Sequence, residues 1–301
     1  MKRAIRRLAK RAAVSIHRLG TRLGVHVLPV HYHSPVPDIL ELRNTRGVWA
    51  RKSDLPGLGI DLDEQAENLR TICAPYRSEY EGNRAFTYAV HHAFGPGYGY
   101  IEAQALYGVI RHFKPKRIVE VGSGVSTHCM IDALEANKND SGIDYAITCI
   151  EPYPSPRLRR TRQIVLIDKP VQEVPFEGVF SRLGEDDLLF IDSSHTVKPG
   201  GDVNYLVLEI LPRLGRGVIV HFHDIFLPYD YRPDVLDTFL HWTETSLLRA
   251  FLIHNPRVRI LFCQSHLHYE RPDALERVFP EYKPRPPYIA GLREDGRDAL
   301  D

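Results

Sequence analysis

The amino-acid sequence predicts an α/β domain: a mostly parallel central sheet with helices on both faces, behind a helical and irregular N-terminal extension. Three observations point there. From residue 99 onward, short runs rich in Val, Ile and Leu alternate with helix-length segments, the order that builds a parallel sheet through helical crossovers. The runs are short and apolar, as strands covered on both faces are. Four of them end in an acid or a histidine, and an open parallel sheet brings such groups to one edge.

Taken in order, the chain divides near residues 28 and 98. Within 1–28, Ile5, Leu8, Ala12, Ile16, Leu19 and Leu23 fall at steps of three or four, which is one face of a helix. Lysines and arginines fill much of the rest. Segment 29–98 reads as an extension or cap. Its first half, 29–59, is rich in Pro, His and Gly and predicts an irregular connector; 63–76 predicts a polar helix. Segment 99–301 is the sheet domain. Helical spacing at 101–113 stops before Lys114-Pro115, since proline has no backbone N–H to continue a helix. Strands are expected at 117–121, 145–150, 163–167, 188–191 and 218–222, and helices at 125–136, 155–161, 203–214 and 234–252. Late strands are expected at 258–263 and 288–292.

Composition narrows the function. A hydrophobic fraction of 43% and a charged fraction of 26% are those of an ordinary globular chain. The net charge of +1 conceals eight cations and no acid before Asp38, which leaves 31 basic and 38 acidic residues in the remainder. A mildly acidic body argues against nucleic acid as the partner. The basic stretch 1–24 suits the anionic surface of a membrane, and equally a helix packed on its own domain. No apolar run reaches the ~18 residues a bilayer span needs, and no secretory apolar core follows the basic start. Cys73, Cys129, Cys149 and Cys263 form no C-x-x-C pair. That argues against a disulfide framework or zinc knuckle and for a reducing cytoplasm, at the inner face of the membrane if 1–24 binds it.

The first polar cluster is Glu120-Val121-Gly122-Ser123-Gly124-Val125-Ser126-Thr127, between a strand and a helix. Gly122 and Gly124 permit a tight turn and close approach of a ligand, and the helix start offers unpaired amides. A dinucleotide fingerprint wants Gly where Thr127 stands, and an acid about 20 residues on. Here the next strand-end acid, Glu151, comes 27 residues after Gly124. A carboxylate so placed suits the two hydroxyls of a ribose. Asp192 closes the fourth strand, and His223-Asp224 the fifth.

These blocks resemble a known family. Residues 117–127, RIVEVGSGVST, and 149–154, CIEPYP, are similar to the first two motifs of class I S-adenosylmethionine-dependent methyltransferases, which have a Rossmann-like fold. FIDSSHTVKPGGDVNYL (190–206) and GVIVHFHDIFLPYDY (217–231) resemble the bacterial subfamily called methyltransferase family 24, and the likeness runs over about residues 25–250. The resemblance implies S-adenosyl-L-methionine as cofactor. The turn Glu120, Gly122, Ser123, Gly124, Ser126, Thr127 would lie by its methionine part, Glu151 by the ribose, Val171 and Gln172 by the adenine, with Asp192 nearby. The expected reaction is O-methylation of a hydroxyl on a small molecule or sugar/glycan precursor.

Two mechanisms fit the acceptor side. In one, His195 or His223 is the general base, helped by Asp192, because an imidazole titrates near neutrality. In the other, Asp192, His223 and Asp224 bind a divalent metal that acidifies the hydroxyl. Metal-dependent catechol and macrolide O-methyltransferases are similar in the placement of these acids but carry Asp-Asp or Asp-Asn where this chain has His223-Asp224. An imidazole favours Mn²⁺, Fe²⁺ or Zn²⁺ over Mg²⁺. His221, on the same strand, suits a core histidine. The aromatics of 226–231 suit either the wall of a sugar or phenol site or plain packing, and His266 and His268 read as surface residues. Two rival functions share the pattern: a nicotinamide-dependent oxidoreductase, and a non-catalytic membrane-associated module in which the basic helix is the working part.

Overall fold

Strand β1 stands at the centre of the sheet and sets the position of everything functional. The computed structural model describes residues 2–92, 94, 97–232 and 234–284. In chain order, helices α1 (Lys2–Arg22), α2 (Ile39–Asn44), α3 (Arg46–Trp49), α4 (Leu62–Cys73), α5 (Arg77–Tyr80), α6 (Arg84–His91) and α7 (Tyr100–Phe113) precede β1 (Arg117–Val121). Then come α8 (Val125–Ser141), β2 (Ala146–Ile150), β3 (Ile164–Ile167), β4 (Leu188–Ile191), α9 (Asp202–Asn204), β5 (Ile219–Phe222), α10 (Glu244–Leu252), α11 (Gln264–Glu270) and α12 (Pro272–Val278). The described residues fall into two compact units, one built from 52–232 and 242–284, the other from 2–51 and 234–241. The sheet lies in the first.

All five strands run parallel, in the order β3-β2-β1-β4-β5. The order reverses between β1 and β4, so a crevice opens there beyond the strand ends. Because side chains alternate along a strand, each face of the sheet has its own core. Ile118, Cys149, Leu188 and Phe190 pack with α7 and α8 residues such as Leu106, Ile110, Met130 and Leu134. Val119, Val121, Ile150, Leu189 and Ile191 pack on the other face with Val171, Phe180, Leu206 and Ile210. Each such fully buried aliphatic side chain contributes roughly 1.5–3 kcal/mol. The expected Rossmann-like α/β architecture is what the chain adopts.

Helix ends follow local chemistry. Asp61 caps α4 by accepting from Asp63 N and Glu64 N, satisfying two otherwise orphaned amides. Helix α7 ends at Lys114 in a left-handed turn before Pro115, and α8 ends at Gly142 with φ 67°, the usual glycine termination.

Four expectations need correction. The helix expected over 234–252 begins only at Glu244, because Thr243 N and Glu244 N donate to His195 O, and Val197 N donates to Thr243 Oγ1; tertiary hydrogen bonds take over the start of the segment. No strand forms at 258–263: Asn68 Nδ2 donates to Leu261 O and Cys263 N donates to Gln65 Oε1, so α4 side chains use backbone groups a sheet would have paired. Segment 29–59 contains two short helices, the first capped by Asp38, which accepts from Leu40 N and Glu41 N. Only a single 3₁₀ turn, Leu158–Arg160, forms within 155–161. The strand expected at 288–292 lies outside the described residues.

Candidate active site

Register fixes which residues share the sheet edge. Val121 pairs with Ile150 and with Ile191, and Ile191 with Phe222. Gly122, Glu151, Asp192 and His223 therefore stand at one level, each the first residue past its strand. The ladder continues through them: Gly122 N donates to Ile150 O, Asp192 N to Val121 O, and His223 N to Ile191 O. Gly122 has φ 77°, and a Cβ there would sit 1.9 Å from Asp192 O. Only glycine fits between β1 and β4 at this point.

The glycine turn is held from both sides. Glu151 Oε2 accepts from Ser123 N at 3.1 Å, and its Oε1 accepts from Tyr153 N at 2.7 Å. Glu120, one residue lower and on the α7–α8 face, is fully enclosed. Ser126 and Thr127 donate to its two oxygens at 2.7 and 2.6 Å, and Thr127 Oγ1 accepts from Gly124 N at 3.0 Å. Burial pushes Glu120 up to about 7, against the pull of these hydroxyls. Glu120, Ser126 and Thr127 thus shape the turn from inside, while Ser123 Oγ is buried with no hydrogen-bond partner. Val171 is buried in the core; Gln172 is exposed and donates to Gly200 O at 3.1 Å.

Past β4 and β5 four side chains converge. Asp192, His195, His223 and Asp224 offer ligand atoms that all lie within 4.8 Å of one another. His195 Nε2 is 3.2 Å from Asp192 Oδ1 and 3.6 Å from Asp224 Oδ2. His223 Nδ1 is 3.2 and 3.3 Å from the same two carboxylates. His195 and Asp224 have φ of 56° and 53°, left-handed backbone that non-glycine residues adopt at a cost and that clusters at functional sites.

The far sides of both rings are occupied too. His195 Nδ1 lies 2.7 Å from Glu244 Oε2, and His223 Nε2 lies 3.2 Å from Glu102 Oε2. Burial opposes charge on His195, but the bonds to Asp192 and Glu244 outweigh it and push the ring up to about 9. The same contest, with Asp192 and Glu102 as partners, takes His223 up to about 11. Burial also opposes ionisation of Asp192, yet the two imidazoles hold its carboxyl far below the ordinary range. Two rings thus stand among four carboxylates.

The loop leading to His195 is pinned. Ser193 Oγ donates to Glu244 Oε1, His195 N donates to Ser193 Oγ, and Ser194 donates through N and Oγ to Asp202. The His195 ring packs on Trp242, with centroids 4.4 Å apart, and Phe226 lies 6.3 Å beyond. Tyr98, 5.0 Å from His223 between ring centroids, is buried and its hydroxyl has no partner.

Sequence reading found Asp192, His195, His223 and Asp224 and missed Glu102, Glu244, Trp242 and Tyr98. Glu102 stands on α7, before the first strand, and Glu244 is 49 residues beyond His195; neither ends a strand, and no local pattern marks them. His221 stacks on Phe190 at 4.5 Å, a core histidine as expected. Tyr229 is buried against Tyr269, which is packing. The surface reading of His266 fails: it is buried, on α11, and lines a cavity of about 600 Å³ with Lys52 and Glu270.

Comparison with known proteins adds a family. A family model described as a methyltransferase domain matches residues 119–225, the stretch from the glycine turn to the residue after Asp224. An uncharacterized protein of Archaeoglobus fulgidus is 35% identical over 158 residues, 48% of this chain and 69% of that protein. The chain carries a methyltransferase domain. Two solved structures are loosely similar to this methyltransferase. The S-adenosylhomocysteine-bound Podospora anserina methyltransferase PaMTH1 is 18% identical with a TM-score of 0.37, over 77% of this chain and 92% of that one. A Plasmodium falciparum protein named after protein-L-isoaspartate O-methyltransferase, in complex with S-adenosyl-L-homocysteine, is 15% identical with a TM-score of 0.26, over 62% of this chain and 83% of that one. Glycine turn and polar tetrad both lie within the matched stretch, at the same end of the sheet.

Proposed function

We propose that this methyltransferase methylates a hydroxyl of a small molecule or sugar-type glycan precursor, with a divalent cation held by Asp192, His195, His223 and Asp224 beside the cofactor. One observation carries the reading: four ligand atoms of metal-binding type gather within 4.8 Å at the strand ends, next to the glycine turn. Aromatic rings at Trp242 and Phe226 beside His195 suit a sugar or phenolic acceptor.

The crevice fits S-adenosylmethionine on its own features. Glu151 is half-buried at its strand end with acceptor capacity left for a ribose diol, and the Ser123 hydroxyl is buried and unpartnered. When bound, the cofactor supplies an electrophilic methyl group on a sulfonium. Glu120 acts indirectly, through Ser126 and Thr127, by keeping the turn in shape. The tetrad's donor set also fits a divalent cation, since neutral imidazole and carboxylate are both ordinary ligands; such a cation lowers the pKa of a hydroxyl beside it. Asp192 belongs to both halves of the site: its backbone closes on Gly122 and its carboxylate on the histidines. That shared residue ties acceptor position to cofactor position, and alignment of the two reactants is worth several kcal/mol.

The test is turnover of S-adenosylmethionine against a panel of sugar and phenolic hydroxyls, with chelator and with added Mn²⁺. Chelation abolishes turnover and Mn²⁺ restores it. Turnover indifferent to chelator would overturn the metal and leave a histidine base.

The N-terminal helix supports a location. Leu8, Ile16, Leu19 and Leu23 on and just after α1 are exposed, alongside Lys10, Arg11, Arg18 and Arg22. A helix whose apolar side chains stand in water next to cations suits the surface of an anionic membrane. No described helix is long and apolar enough to cross one.

A further inference from the structure

Two carboxylates, Glu244 and Glu102, stand behind the histidines. A carboxylate only accepts hydrogen bonds. With the front nitrogen of each ring given to a cation, His195 Nδ1–H would donate to Glu244, 2.7 Å away, and His223 Nε2–H to Glu102, 3.2 Å away. The two rings are thus held in opposite senses: His195 turns Nε2 toward Asp192 and Asp224, and His223 turns Nδ1 toward them. Opposite senses are what lets two imidazoles arriving from different loops meet at one point.

Glu244 is itself anchored: 1% exposed, it begins α10 and accepts from Ser193 Oγ at 2.8 Å. Glu102 sits in the first turn of α7. Neither belongs to the tetrad, and they come from helices on either side of it in sequence. A histidine whose second nitrogen donates to a carboxylate is the standard outer support of a metal ligand, because it fixes tautomer and orientation and makes the free nitrogen more basic.

We propose that Glu102 and Glu244 are positioning residues of a two-histidine, two-aspartate metal centre, and that this centre takes a transition cation of the Mn²⁺ to Zn²⁺ series in preference to Mg²⁺. The proposal rests on the metal reading above and extends it. Mg²⁺ prefers an octahedron of oxygens, several of them water. Two imidazole nitrogens locked in place offer it poor ligands and offer the later divalent metals good ones. The backing also explains the burial of Glu244: a fully enclosed carboxylate is retained where it is hydrogen-bonded on both oxygens, here by Ser193 and His195.

The experiment is Co²⁺ titration of chelator-stripped, full-length protein, read by the visible absorption of Co²⁺, with equilibrium dialysis against Mn²⁺, Zn²⁺ and Mg²⁺. Wild type, Glu244→Gln, Glu102→Gln, Glu244→Asp and Asp192→Ala are compared. Circular dichroism and the melting temperature check that each variant is folded. The expected result is one Co²⁺ per wild-type chain and affinity roughly 10–100-fold weaker in the two glutamine variants. Co²⁺ is retained and Mg²⁺ is not. Glu244→Asp, which keeps the charge, recovers part of the loss and Asp192→Ala binds none. Wild-type binding with both glutamine variants unchanged would overturn the positioning role and leave the metal reading standing. Mg²⁺ held as tightly as Co²⁺ would overturn the selectivity. A wild-type chain that binds no cation at all would sink the metal reading itself, and this proposal with it.

Discussion

Glu120 has its carboxyl wholly enclosed and its two oxygens taken by Ser126 and Thr127. Burial raises it to about 7 from an ordinary 4.5, so the folded chain keeps this proton over a range in which the unfolded chain has lost it. The sign follows from linkage. The contribution is complete below about pH 4.5 and is lost as pH rises through about 7. Urea midpoints of the ligand-free protein should therefore fall between pH 5 and pH 8, and Glu120→Gln should flatten that fall. An equal slope in the variant would show that Glu120 is ionised in the fold. The residue was legible in the sequence because an acid two residues before a strand-end glycine stands out. Its inward direction was not, since one residue of register decides which face a strand side chain meets. Glu151, Asp192 and His223, one step later in register, reach the edge; Glu120 does not.

Elements matter here chiefly through what they do to their neighbours' ends. Helix α10 starts ten residues later than its sequence pattern suggests, and the delay places Glu244 behind His195 and Trp242 against it. The amides of Thr243 and Glu244 donate to the carbonyl of His195, so the start of the helix is tied to the loop that carries this ring. Helix α1 makes the opposite case: its pattern was plain in the sequence, and Leu8, Val14, Ile16 and Leu19 remain exposed. Full-length protein should pellet with vesicles of mixed phosphatidylcholine and phosphatidylglycerol at low salt. Binding should weaken as salt is raised, since each cation near the surface is worth about 1 kcal/mol and is screened over a Debye length. A form lacking residues 1–24 should stay in the supernatant. Equal pelleting of the two forms, or binding to neutral vesicles alone, would refute the membrane assignment.

For the whole molecule, the reversal of strand order between β1 and β4 is what gives the sheet a crevice, and the proposed cofactor and acceptor sites lie side by side along it. A ligand bound only by the folded form stabilises by about 2.7 kcal/mol at a hundred times its Kd. For a unit of this size S-adenosylmethionine should then raise the melting temperature by roughly 5–10 °C. Glu151→Ala should lose most of that rise while melting near the wild-type temperature without ligand. A full shift in the variant would remove Glu151 from the cofactor site.

By itself the sequence determined the alternation of strand and helix, the glycine turn, and the acids and histidines at strand ends. Those are local facts, carried by periodicity and by residues a few positions apart. Only the tertiary structure decided that His195 joins His223, Asp192 and Asp224, and that Glu102 and Glu244 stand behind the rings. Those partners lie up to 121 residues apart, and nothing in a one-dimensional pattern records a contact that exists only when separate loops and helices meet over the end of one sheet.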